Sequence, residues 1–210
     1  MSASFKIIDT IEDIEKNINL ILAQQINDTI SRGLSSLQSD LINFAVPEWL
    51  DEQPEIQALK NGSLSGPFGF TTSPLNVADA IISSIASSTS VSLSPYNRSL
   101  KGGGLTIAIQ PNDFSNLLSL PEGHTVYEDG DLHWLDWMIN RGDEIIIVGY
   151  EYNPTTGLGR TKLGNMKEGR FFRVPPQYAG TAQNNFVTRA LSGSKQLRYM
   201  TNRIKTMLGA

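Results

Sequence analysis

The stretch DTIEDIEKNINLILAQQINDTISRGLSSLQSDLINFAVP, residues 9–47, decides how the fold begins. Apolar side chains recur at Ile11, Ile14, Ile18, Ile21, Leu22, Ile26, Ile30, Leu34, Leu37 and Leu41. Steps of three and four residues place them on one stripe of a helix. Asp9-Thr10 followed by Glu12 and Asp13 resembles an N-cap with acids in the first turn, where the helix dipole favours them. Pro47 closes the pattern, because proline lacks the amide proton that an interior turn donates. We expect a helical segment over about 9–46, roughly 50 Å long by its rise per residue. That length exceeds what a small core covers, so part of the stripe is expected to pack on another subunit. A break near Gly33 into two shorter core helices is the alternative.

Further along, Pro54 suits a first helical residue, and Ser73-Pro74 opens a helix with Val77, Ile81 and Ile85 on one face. The period then changes. Ser90 to Tyr96 reads as a strand, and Leu105, Ile107 and Ile109 alternate with polar or small residues after the Gly102-Gly-Gly104 connector. Asp113 to Leu120 reads as a short helix. Asp131 is expected to start another through Trp134, Trp137 and Asn140, stopped by Gly142. Glu144 to Tyr152 is the strongest strand, with Arg170 to Val174 returning beside it. The chain ends in helices, one through Phe186 and Leu191 opened by Thr181 or Gln183, the other carrying Leu197, Met200, Ile204 and Met207. The fold class is α+β: a long N-terminal helix on a small antiparallel sheet, with C-terminal helices. We expect one domain over 1–210.

Charged residues are only 18% of the 210, against 40% hydrophobic, so much of the polar surface is neutral and inexpensive to desolvate in contacts. The net charge of −4 hides a division. Residues 1–152 carry 7 Lys/Arg against 20 Asp/Glu, while residues 153–210 carry 10 Lys/Arg against Glu168 alone. A basic segment of this kind points either to a polyanion or to acidic surfaces, on a neighbour or within the same chain. Its members Arg160, Lys162, Arg170, Arg173, Arg189, Arg198, Arg203 and Lys205 are candidates for a subunit interface or a DNA-facing surface. Aromatics suited to stacking are sparse among them, which disfavours single-strand recognition.

Catalytic signatures are thin. The absence of cysteine excludes disulfides, thiolate metal sites and cysteine nucleophiles. No Gly-x-Ser-x-Gly elbow occurs, and Gly157 to Gly164 lacks the Gly-Lys-Ser/Thr of a phosphate loop. His124 and His133 lie among Glu128, Asp129, Asp131 and Asp136. Lacking a two-histidine helical spacing, the group reads as capping and surface charge, with no metal and no cofactor expected. The same acids could supply a glycosidase pair only if one sat in an apolar pocket. No run approaches the roughly 18 apolar residues of a membrane span, and no basic-plus-apolar leader opens the chain. We expect synthesis in a reducing host cytoplasm and no membrane partner.

Several motifs stand together in the last 80 or so residues: His133-Trp-Leu-Asp-Trp137, Gly159-Arg160-Thr161, Phe172-Arg-Val-Pro-Pro176, Tyr178-Ala-Gly-Thr181 and Asn184-Asn-Phe-Val-Thr-Arg-Ala-Leu191. In these the chain resembles neck or tail-completion proteins of tailed bacteriophages. The resemblance implies a virion protein without enzyme activity or cofactor, forming a homo-oligomeric ring at the head–tail junction beside other neck, connector or tail proteins. Neck, terminator and adaptor roles stay open. It further implies that Thr181 caps a helix whose Asn184, Asn185 and Arg189 make subunit contacts, with non-specific contact to packaged double-stranded DNA as a secondary role. A cell-wall-degrading virion enzyme and a DNA-binding accessory protein are the rival expectations.

Overall fold

A computed structural model describes residues 9–128, 130–155, 157 and 159–209. Helices are α1 (Ile11–Asp40), α2 (Val46–Asp51), α3 (Pro54–Lys60), α4 (Ser65–Phe68), α5 (Pro74–Ser87), α6 (Ser115–Leu118), α7 (Trp134–Ile139), α8 (Phe186–Leu191) and α9 (Ser194–Leu208). Strands β1 (Ser90–Ser94) and β2 (Gly104–Ala108), β3 (Thr125–Tyr127) and β4 (Gly130–Leu132), and β5 (Ile147–Asn153) and β6 (Asn165–Phe172) form three antiparallel two-stranded sheets. The class is α+β, with a long N-terminal helix and C-terminal helices.

Gly33 does not break α1, and Pro47 does not end the helical path. In a regular α-helix the ring of Pro47 would press on the carbonyl of Asn43. Instead Leu41–Ala45 form a π turn, in which the Val46 amide donates to the Leu41 carbonyl, and helix continues through α2. The widened turn makes room for the proline.

The chain divides into two compact units. Among the described residues, the smaller is built from 9–39, Ser90–Ala108 and 199–209. Here the β1–β2 hairpin keeps Val91, Leu93, Leu105 and Ile107 half-buried and turns the intervening residues outward, as period-two alternation requires. The Asn27 side chain clamps the chain just after β1: its amide donates to the Tyr96 carbonyl at 3.0 Å and its oxygen accepts from the Tyr96 amide at 2.8 Å. Met207 of α9 lies directly against Gly33, where an added Cβ would stand 2.1 Å from its sulfur. Gly33 therefore serves close approach of two helices.

The larger unit comprises Asp40–Thr89 and Ile109–Arg198. Its core gathers Trp49 and Leu50 of α2, Ile56 and Leu59 of α3, Ile81 and Ile85 of α5, and Trp134 and Met138 of α7, all at most 2% exposed. Trp134 stacks on Phe68 with centroids 5.2 Å apart. Asp131 does not start α7, contrary to expectation, because Val126 pairs with it across the β3–β4 hairpin and the helix begins at Trp134. A returning strand pairs with β5 as expected, but it runs over Asn165–Phe172 and not Arg170–Val174, and a bulge between Val148 and Tyr150 breaks the pairing. Gly149 at the bulge has φ +84°, which a side chain would strain.

Replacing Asn27 with Ala removes both clamps at Tyr96. We expect a loss of about 1–2 kcal/mol, seen as roughly tenfold faster hydrogen exchange in the β1–β2 hairpin.

Candidate functional site

The basic residues of the C-terminal quarter separate into two sets. The first is spent inside the larger unit. Arg189 of α8 pairs with Glu55 of α3, whose side chain is 3% exposed. Lys195 pairs with Glu52 at 2.5 Å and Glu48 at 3.7 Å, and these hydrogen bonds and charges raise its pKa. Arg173 reaches Asp143 at 3.1 Å and lies over the Phe171 ring. Lys167 meets Glu151 at 3.2 Å. Arg160 donates to the Val126 and Gly69 carbonyls and lies 4.9 Å from the Tyr127 ring centroid, pinning the β5–β6 connection to its surroundings. Local neutralisation by the acidic part of the same chain thus accounts for much of the charge division.

Of the two amide residues, Asn184 is exposed and Asn185 is internal. Asn185 is 0% exposed, so it cannot face a neighbour or DNA, and the expected subunit-contact role is corrected. It, not Thr181 or Gln183, is the N-cap of α8: its side chain accepts from the Thr188 amide, while the Thr188 hydroxyl accepts from the Asn185 amide. Its own amide group donates to the Ile139 and Thr181 carbonyls, which ties α7 to α8. Asn184 accepts from Arg189 at 3.1 Å. Gly180 permits this crossing, since a Cβ there would meet the Met138 carbonyl oxygen at 2.2 Å.

The second set is exposed. Lys162, Arg170, Arg198 and Lys205 stand outward on the β5–β6 connection, β6 and α9. Arg203 is half-buried and lines, with Arg32, Thr29 and Thr206, a cleft of about 550 Å³ within the smaller unit. Each unit also exposes apolar side chains, which the spacing along the sequence located only in part. Ile11, Ile14, Ile18, Ile21 and Leu22 of α1 are 40–84% exposed, whereas Ala23, Ile30 and Leu37 further along are buried. A separate patch on the larger unit exposes Val148 at 75%, Tyr150 at 51% and Phe171 at 39%.

Among the described residues, Asp136 lacks the raised pKa that the acid of a glycosidase pair requires. Burial pushes the Asp136 carboxyl up, but hydrogen bonds from Asn140 and Arg141 and the charges of Arg141 and His133 outweigh it and hold it below its ordinary value. A general acid needs the opposite shift. Glu128 is exposed in a turn, Asp129 lies outside the described residues, and Asp131 contacts both His124 and His133. Trp137 is half-exposed beneath the Arg141 guanidinium, 5.1 Å from its ring centroid.

The sequence matches no protein-family model, no curated protein and no solved structure.

Two variants test these assignments. Arg189→Ala leaves a buried carboxylate without its cation and should cost about 3 kcal/mol in chemical denaturation, well above the ~1 kcal/mol or less of an exposed pair such as Lys167–Glu151. Asp136→Asn should destabilise the chain at neutral pH. Because the native carboxyl lies below its ordinary value of 3.8, its contribution is present above that value and is lost as pH falls through the native one. The variant and the parent should therefore converge in thermal stability at strongly acidic pH.

Proposed function

We propose that this chain is a structural subunit of the head–tail junction of a tailed bacteriophage, assembling with copies of itself into a ring and with neighbouring connector or tail proteins. The observation that carries this reading is the α1 stripe, where five aliphatic side chains from Ile11 to Leu22 stand in water. A contiguous apolar face of this kind is the mark of an interaction surface. A ring built head to tail requires two different patches on each subunit. The α1 stripe and the β5–β6 patch satisfy that requirement chemically. The two-stranded sheets add unpaired edges able to pair with another chain.

The rival hydrolase reading loses one candidate acid, since Asp136 is held as a carboxylate where a general acid would need its proton. DNA contact falls to the exposed cations Lys162, Arg170, Arg198 and Lys205, and is non-specific and secondary. Among the described residues, no helix is long and apolar enough to cross a membrane, which accords with a site in the virion.

Light scattering and negative-stain imaging of the purified chain, alone and with connector or tail particles, test the proposal. We expect rings or particle-bound subunits, and loss of both in Ile18→Glu with the far-UV spectrum unchanged. A clean monomer at high concentration that ignores both particles overturns the reading.

A further inference from the structure

The β3–β4 hairpin brings two histidines and one aspartate to one face. The register pairs Thr125 with Leu132 and Val126 with Asp131. Extended by one step, it sets His124 opposite His133. Asp131 lies two residues from His133, and side chains two apart share a face. His124, Asp131 and His133 therefore converge by strand alternation. The His124 Nδ1 is 2.7 Å and the His133 Nε2 3.4 Å from the same Asp131 Oδ2. The two imidazoles are stacked, with centroids 5.1 Å apart and planes inclined by 9°. One ligand atom from each of the three lies within 4.8 Å of the others.

We propose that His124, Asp131 and His133 bind a divalent transition-metal ion, with zinc as the best fit. Zinc takes nitrogen and oxygen donors at about 2.0–2.2 Å, which sets tetrahedral donors roughly 3.3 Å apart. The His133–Asp131 separation already has this value, and the His124–Asp131 hydrogen bond has only to open by a little over half an ångström. Two imidazoles and one carboxylate favour zinc or its first-row neighbours over magnesium or calcium, which prefer all-oxygen shells. The face is open: the His133 side chain is 57% exposed and Asp131 36%, leaving an entry path and a fourth position for water or another donor.

Of the two arginines nearby, Arg141 is neutralised by a carboxylate, whereas Arg160 keeps its charge and is drawn to carbonyls and a ring face. Arg141 is held by Asp136 at 2.5 Å, and Arg160 is committed to the Val126 and Gly69 carbonyls. His133 is also the residue before α7, so the ion would fasten the hairpin to the helix that carries the buried Trp134. The site is independent of the assembly proposed above, since it uses neither the α1 stripe nor the β5–β6 patch.

The test is calorimetric titration of zinc into the untagged full-length chain after chelator treatment and dialysis, with magnesium as comparison. We expect one zinc per chain with Kd of ~1 µM or lower, a rise in Tm on loading, and no response to magnesium. Asp131→Asn and His133→Ala should each weaken binding at least tenfold. Should His133→Ala not fold, His133→Asn gives the same reading, with near-UV dichroism as the check of folding. No saturable zinc binding overturns the proposal, as does one-to-one binding that survives replacement of both histidines.

Discussion

Glu55 is almost wholly removed from water, and a carboxylate so placed must be met by a cation or be neutralised. Arg189 meets it from 134 positions away in the chain. Around that contact the larger unit organises its polar interior. Arg189 also holds Asn184, and the adjoining Asn185 caps α8 and binds the end of α7 through the Ile139 carbonyl. The apolar core surrounds this seam with side chains whose burial is worth about 1.5–3 kcal/mol each, so packing supplies most of the stability. The seam supplies position. It holds α8 against α3 and against the end of α7.

Much of the architecture was legible because it is local. The three- and four-residue spacing from Ile11 onward, Pro54 as a first helical residue, Ser73-Pro74 before α5 and the run from Glu144 all depend on neighbours within a turn or two. The misreadings have one physical source each. Pro47 is a helix stop only if the preceding turn stays α, and the π turn removed that condition. Asp131 fits the chemistry of a helix cap and of a short strand equally well, and pairing with Val126 decided between them. The Asp129-Gly130 dipeptide between Thr-Val-Tyr and Asp-Leu-His was the available signal for a hairpin.

The charge division illustrates the opposite limit. Composition showed that acids and bases are segregated along the chain, but the partner of each base is a matter of tertiary structure. Arg189, Lys195, Arg173 and Lys167 find acids of their own chain, and what remains for another molecule is a shorter list of exposed cations and two apolar surfaces. An assembly driven by such surfaces gains chiefly from burying hydrocarbon, and electrostatics then governs approach and register.

The close approach of Met207 to Gly33 carries a consequence for the order of events in the living cell. The smaller unit draws on both ends of the chain and on a hairpin from its middle, so its contacts span almost the whole sequence. Contacts of that separation are entropically slow to close, and here they wait until α9 has left the ribosome. The larger unit, Asp40–Thr89 and Ile109–Arg198, needs nothing beyond Arg198 and can form earlier. The helix that bears the exposed isoleucines thus gains its Met207 contact only after the residues of the larger unit have been made.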